Sequence, residues 1–432
     1  MGTAAVAVIF VAALLVGIPI AFVLGTAAIY YFMFVGRLPM EIAGQMIGQK
    51  LYAGCDNFIL LAIYFFILAG ELMNRSKITD SLIEFSKILV GKIPGALAQV
   101  NIVVSVFFAG ITGSGVADTA AIGSVLIPAM KKEGYTAEYA TAITVTSSVI
   151  GPIIPPSVVM VIYSMSTGAS VGALFAAGFI PGLAIALALS VLAFYYAIKY
   201  RHPRRTEDIS FQQALTTTRK SIVALLCPVV LVGGIFSGSF TPTEAAAIAC
   251  FYAIIGGRFI LGTLTVKDII LSFRKAAVSG SVILLIISMA ALFGQFMALE
   301  RVPAQMAQLI LGITHNKYAF LALVNVLLLF MGMVMETGAT VILLAPILVP
   351  IAMQLGIHPV HFALVMIVNL NIGLSTPPVG VCLFAAAPIA GISLERISRA
   401  AMPFVLAELV ALMFITYIPD LVLFIPRLMG YA

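Results

Sequence analysis

Ser147-Ser-Val-Ile-Gly151-Pro-Ile-Ile-Pro155-Pro156-Ser157 and Asn369-Leu-Asn-Ile-Gly373-Leu-Ser375-Thr376-Pro377-Pro378 each interrupt a long apolar run. Proline has no N–H to give and its ring clashes with the preceding turn, so a helix cannot pass intact through either stretch. Inside a membrane the carbonyls freed by such a break find no solvent, and protein, an enclosed water or a cation must meet them. Each stretch therefore predicts a broken membrane helix: carbonyl oxygens to spare on one half, the positive end of a helix dipole on the other.

The membrane setting follows from composition. Of 432 residues, 62% are hydrophobic and 9% charged, against roughly 25% charged in an ordinary soluble domain. A water-soluble globule would lack the polar residues to cover its own surface. The apolar runs are continuous, not alternating, which argues against a membrane barrel. They leave room for roughly ten to fourteen crossings or partial crossings. The longest polar stretch, 199–220, is too short for a catalytic domain, and no HExxH pattern or credible acid-base pair occurs, so an enzyme is not expected. The positive charges are scattered over span ends and offer no contiguous surface to nucleic acid. Cys55, Cys227, Cys250 and Cys382 stand far apart and read as small buried hydrophobes. His358 and His361, with Pro359 between them and no acid beside them, do not read as a metal pair. The N-terminus lacks a basic region before its apolar run and reads as a retained span.

Sliding the chain by 222 residues lays Phe108 on Phe330, Gly110 on Gly332, Pro128 on Pro350, Gly134 on Gly356, Gly151 on Gly373, and Pro155, Pro156 on Pro377, Pro378, without a gap. The same shift brings Gly17 to Pro19 near Gly238 to Pro242, and Gly36, Arg37 near Gly257, Arg258. Two related halves are expected, 1–218 and 219–432, with the first apolar block, 3–34, divided into two short helices. Blocks 94–131 and 318–355 are too long for one crossing and too interrupted for one straight helix, so both read as re-entrant hairpins. Arg75, Lys77, Lys87, Lys131, Lys199, Arg205, Lys220, Lys275, Arg399 and most other basic residues then fall on one face, the cytoplasmic face by the positive-inside rule. The first hairpin opens to the cytoplasm and the second to the outside, which makes the repeat inverted. The expected fold class is an all-α polytopic membrane protein: an inverted repeat with two re-entrant helical hairpins and two broken helices, the architecture that lets a carrier expose one site to either side in turn.

The hairpin tips carry the chemistry. The first reads Phe107-Phe-Ala-Gly-Ile-Thr112-Gly-Ser114-Gly-Val-Ala-Asp118-Thr119, too rich in glycine and hydroxyl for a comfortable helix interior. Thr112 and Ser114 suit a small hard cation such as Na+, and the carbonyls of Gly151, Ile154 and Pro156 complete its shell from the first break. In the 222-residue register Val334, Glu336, Gly373 and Thr376 form the second such site. Ser114, Asp118, Ser147, Thr337, Asn369 and Ser375 are the candidates to face a substrate cavity between the tips. No arginine or lysine stands at a tip or break, so an anionic substrate would be held by bound cations, half-helix amides and hydroxyls. For Asp118 and Glu336, capping of the following half-helix, ion coordination and proton coupling all stay open. Glu71, Glu244 and Glu408 read as lying near span ends or helix starts, Thr241-Pro-Thr-Glu244 being a helix-opening signal. Segments 78–90 and 263–275 read as amphipathic connecting arms.

Phe108-Ala-Gly-Ile-Thr-Gly-Ser-Gly-Val-Ala-Asp118-Thr, Gly151-Pro-Ile-Ile-Pro-Pro156-Ser, Met335-Glu-Thr-Gly338 and Asn371-Ile-Gly-Leu-Ser-Thr-Pro-Pro-Val-Gly380 resemble the large membrane subunit of tripartite ATP-independent periplasmic (TRAP) transporters, the DctM-like permeases. The resemblance runs from the first span to the last. It implies sodium-driven uptake of an organic acid (a C4-dicarboxylate, sialic acid or a related sugar or keto acid) across a bacterial inner membrane. It further implies two partners besides membrane lipid: a small DctQ-like membrane subunit, and a DctP-like periplasmic protein that delivers the substrate. An elevator mechanism is implied, with a transport domain from 94–167 and 318–392 moving against a scaffold. A stand-alone sodium-coupled or antiporting anion carrier would share nearly every residue feature and work without the soluble protein.

Overall fold

The computed structural model describes residues 2–36, 39–76, 78–204 and 211–431. Arg37, Lys77 and Arg205 of the charge and repeat readings lie outside the described residues. In the first half of the chain the helices are α1 (Gly2–Leu15), α2 (Ile20–Tyr30), α3 (Met40–Cys55), α4 (Ile59–Arg75), α5 (Ile78–Val90), α6 (Ala96–Thr112), α7 (Gly115–Lys132), α8 (Ala137–Ser147), α9 (Val158–Thr167) and α10 (Val171–Lys199). In the second they are α11 (Phe211–Phe236), α12 (Pro242–Ile255), α13 (Val266–Leu299), α14 (Val302–Ile313), α15 (Lys317–Val334), α16 (Thr337–Gln354), α17 (Pro359–Leu374), α18 (Val381–Ala390), α19 (Leu394–Tyr417) and α20 (Pro419–Leu428). No strand occurs among the described residues. Among the described residues, seven helices are long and apolar enough to cross a membrane, or eight spans if α3 and α4, bent by 50° at their junction, count as one.

Helix positions recur at the spacing of the sequence repeat. The starts of α2 and α12, of α7 and α16, and of α8 and α17 all stand 222 residues apart. Two hairpins, α6 with α7 and α15 with α16, and two interrupted pairs, α8 with α9 and α17 with α18, are the fold that the prolines and glycines predict. The halves interlock crosswise. The second arm of each hairpin packs on its own half's broken helix and on the far piece of the other's: α7 on α8 and α18, α16 on α17 and α9. Around this core lie α2, α3 and α4, gathered on α13, while α12 packs on α4 and α11 on α5.

Three sequence expectations change in the structure. Residues 263–275 are no separate arm, because Thr265 caps a helix that runs unbroken from Val266 to Leu299. Its first-half counterpart divides into α3 and α4, leaving Asp56 and Asn57 between two pieces. Glu408 is not near a span end; it sits in the middle of α19, wholly buried, because α8, α10 and α17 pack around that helix. Of the four cysteines, Cys55 is exposed, since the chain turns there from α3 towards α4.

Candidate ion and substrate site

The first tip forms where Gly113 takes a left-handed conformation (φ 60°) that ends α6, a backbone state open to glycine at little cost. Ser114 then extends, and its hydroxyl accepts the Ala117 N–H at the start of α7. The N-cap of this half-helix therefore falls to Ser114, leaving Asp118 for another task. Asp118 is fully buried; Thr112 donates its hydroxyl to Oδ1, while Oδ2 has no partner among the described residues.

The tip lies directly on the first break. A Cβ added to Gly113 would stand 2.9 Å from the Pro156 carbonyl oxygen, and one added to Gly151 would stand 2.2 Å from Asp118 Oδ2. Thr112, Asp118, Gly151 and Pro156 are thus brought together, with Ser114 beside them. Ile154 lies on the same break, buried, and its side chain rests where Gly182 of α10 leaves room. Thr119 ties α7 to the break through the Ser148 hydroxyl at 2.6 Å.

The second tip repeats the construction with different chemistry. Glu336 caps α16, its Oε2 accepting the Ala339 N–H at 3.0 Å, so here a carboxylate does what Ser114 does in the first half. Thr337 donates to Asn371 Oδ1 at 3.2 Å, and the Gly380 N–H reaches the Met333 carbonyl at 3.2 Å. Gly373 lies against Gly332, backbone on backbone. It sits inside α17, which continues to Leu374, so the second break opens only at Ser375, later in its helix than the first. Thr376 turns its hydroxyl inward to the Ile372 carbonyl at 2.7 Å.

Between the tips lies a cavity of 1270 Å³. Thr112, Ser114, Val334, Glu336 and Thr337 line it, together with Pro152 and Asn371. Asp118, Ser147, Asn369 and Ser375 do not; all four are wholly buried. Ser147 donates to Asn101 Oδ1 and lies 2.9 Å from the Ser105 hydroxyl, tying α8 to α6. Asn369 donates to both oxygens of Asn325, tying α17 to α15. These bonds hold each hairpin to its broken helix, about two to three turns behind the tips.

The opposite wall comes from Ile67, Gly70, Glu71 and Asn74 of α4 and from residues 275–286 of α13. Sequence reading assigned no site role to Asn371, Asn74, Lys275 or Glu71. Asn371 stood within a motif already quoted and was legible there; the others only become neighbours when α4 and α13 pack.

Among the described residues Glu408 accepts one contact, from the Ser375 hydroxyl at 3.4 Å, and its Oε1 has none. A neutral amide of the same shape fits this enclosure. Glu408→Gln is therefore expected to leave the thermal midpoint nearly unchanged, whereas Glu408→Ala, which opens a cavity beside Ser375, costs about 2–4 kcal/mol. Thermal unfolding of the two purified variants checks this, and equal losses would show that the carboxyl group itself is required.

Two hairpin tips seated on two broken helices around one cavity define a helical membrane transporter fold. Residues 7–421 match the family described as tripartite ATP-independent periplasmic transporter, DctM component, and the chain belongs to that family. Among relatives, it is 39% identical over 411 residues to the isethionate TRAP transporter permease protein DctMQ of Oleidesulfovibrio alaskensis, covering 95% of this chain and 64% of that one. It is 37% identical over 420 residues to the sialic acid TRAP transporter large permease protein SiaM of Vibrio cholerae, covering 97% of both chains. The crystal structure of the Alcanivorax borkumensis YdaH transporter superimposes with a TM-score of 0.68 at 14% identity, over 92% of this chain and 96% of that one, a likeness of fold.

Proposed function

We propose that this chain carries an organic acid anion across a bacterial inner membrane, driven by sodium and fed by a periplasmic binding protein, with a small membrane subunit bracing its scaffold. The observation that carries the ion half of this reading is the orphaned Asp118 Oδ2, buried against Gly151 with hydroxyl and carbonyl oxygens around it. A buried carboxylate oxygen without a partner is costly, and a small hard cation held by Thr112, Asp118 and the carbonyls of the first break offsets that cost. Val334, Glu336, Gly373 and Thr376 supply the equivalent oxygens of the second half. Sodium in these places fixes each tip on its break, so the loaded core differs from the empty one and the gradient gains a handle on the substrate.

The substrate lies between the tips, against Ser114, Thr337, Asn371 and the positive start of α16. The crosswise interlock of the hairpins supports movement of the core as one body past α4 and α13, an elevator. By the positive-inside reading, the end of the cavity at Glu71, Asp80 and Lys275 faces the cytoplasm, so the core stands in its inward position.

The test is uptake into proteoliposomes that hold this chain with its small subunit, under an inward sodium gradient, with and without the cognate binding protein. Uptake is expected only with both present; equal uptake without the soluble protein would move the function to a stand-alone carrier. Ser114→Ala in the same assay is expected to raise the half-saturating sodium concentration about threefold or more, one cap and one ligand being lost. Unchanged sodium dependence removes Ser114 from the ion shell.

A further inference from the structure

The scaffold wall of the cavity holds a charge cluster that the ion and tip chemistry leaves unused. Lys275 is the basic side chain among the described lining residues; the acids there are Glu71, Asp80 and Glu336. Lys275 Nζ lies 2.7 Å from Glu71 Oε2, and Arg75 Nε lies 3.0 Å from the other oxygen, Oε1. Arg75 also stands 3.8 Å from Asp268, at the start of α13. Glu71 thus holds two cations with one carboxylate.

The two cations are not equally placed. The Glu71 side chain is 10% exposed and that of Arg75 30%, whereas the Lys275 side chain is 60% exposed and borders the cavity. An ion pair with so exposed a partner contributes little, and Glu71 keeps Arg75 if Lys275 turns away. Ser279, one turn along α13 on the same face as Lys275, and Asn74, one turn along α4 from Glu71, also line the cavity. A carboxylate or sulfonate arriving there meets an ammonium, a hydroxyl and an amide.

We infer that Lys275 is the inward-side anchor for the anionic group of the substrate, and that the substrate displaces Glu71 from it. The inference rests on the organic-anion reading above. Lys275 stands on α13, outside the interlocked core, so the core's cargo meets it in the position seen here and leaves it when the core moves away. Such a contact gives the anion different affinities in the two positions. Asp80, also in the lining, repels the anion once it leaves the ammonium and favours its passage to water.

The experiment uses the purified full chain in lipid nanodiscs with sodium, and reads the thermal midpoint against rising concentrations of succinate, isethionate or sialic acid. For the acid that stabilises the unaltered chain, Lys275→Gln is expected to weaken the half-saturating concentration about tenfold, and Lys275→Arg to restore most of it. Glu71→Gln, which frees Lys275 from its competitor, is expected to tighten binding about threefold. A mere brace between α4 and α13 would lower the ligand-free midpoint in both variants and leave the acid dependence untouched. Binding unchanged in Lys275→Gln, or weakened equally in Glu71→Gln, overturns the inference and leaves the organic-anion reading standing. If none of the acids stabilises the unaltered chain in sodium, the anion reading itself falls and the inference falls with it.

Discussion

Gly373→Ala is expected to abolish transport and to lower the thermal midpoint of the protein sharply. At this position α17 and α15 touch backbone to backbone: an added Cβ would stand 2.4 Å from the Gly332 carbonyl carbon, 2.6 Å from its Cα and 2.8 Å from the Met333 nitrogen. None of these atoms is the flexible end of a side chain, so a methyl group can be admitted only by moving the hairpin off the broken helix. Overpacking at such a contact costs about 3 kcal/mol or more. It also pulls apart the second tip, whose Met333 carbonyl accepts the Gly380 N–H. The control is Gly294→Ala on α13, where nothing lies within 4 Å of the new carbon. That variant should express, unfold and transport as the unaltered chain does, since alanine favours a helix over glycine. Transport by Gly373→Ala at half the normal rate or better would mean that the hairpin does not close against α17 as seen here.

The second large effect is expected from Asp118→Asn. The substitution keeps the shape and can keep the bond from Thr112, so the fold should survive with a midpoint close to normal. The negative charge at the orphaned oxygen is lost, however, and an amide N–H placed against Gly151 and the Ser148 carbonyl side of the break opposes a cation there. Half-saturating sodium should rise about tenfold or more, with substrate affinity at saturating sodium little changed. Sodium titrations of uptake and of thermal stability report this separately. Equal sodium dependence in both readouts would leave the first tip as a purely structural latch.

Gly113, Ser114 and the paired prolines Pro155, Pro156, Pro377 and Pro378 act locally, which is why the first tip and both breaks were legible in the chain. A glycine in a left-handed turn ends a helix at little cost, and a Pro-Pro pair, with two N–H groups missing in a row, breaks one where the single prolines Pro128, Pro181 and Pro350 are carried inside it. Their spacing then gave the repeat, and the helix starts at Gly115 and Thr337 or Ala137 and Pro359 follow it. Ser114 and Thr337 needed only their place beside the turn to be read as cavity-facing. Ser147 and Asn369 sit equally close to their breaks in sequence, yet the structure spends them on Asn101, Ser105 and Asn325.

The sequence alone determined that this is a helical membrane protein, that it contains two related halves each with a hairpin and a broken helix, and which family it belongs to. Tertiary structure decided which polar side chains face the cavity. In a span apolar on every side, no hydrophobic face announces how the helix is turned, so Ser147, Asn369 and Glu408 took their partners from packing. It also decided the scaffold wall: Glu71 and Lys275 are 204 residues apart and meet only because α4 lies against α13. No local propensity records a contact made between surfaces that far apart in the chain.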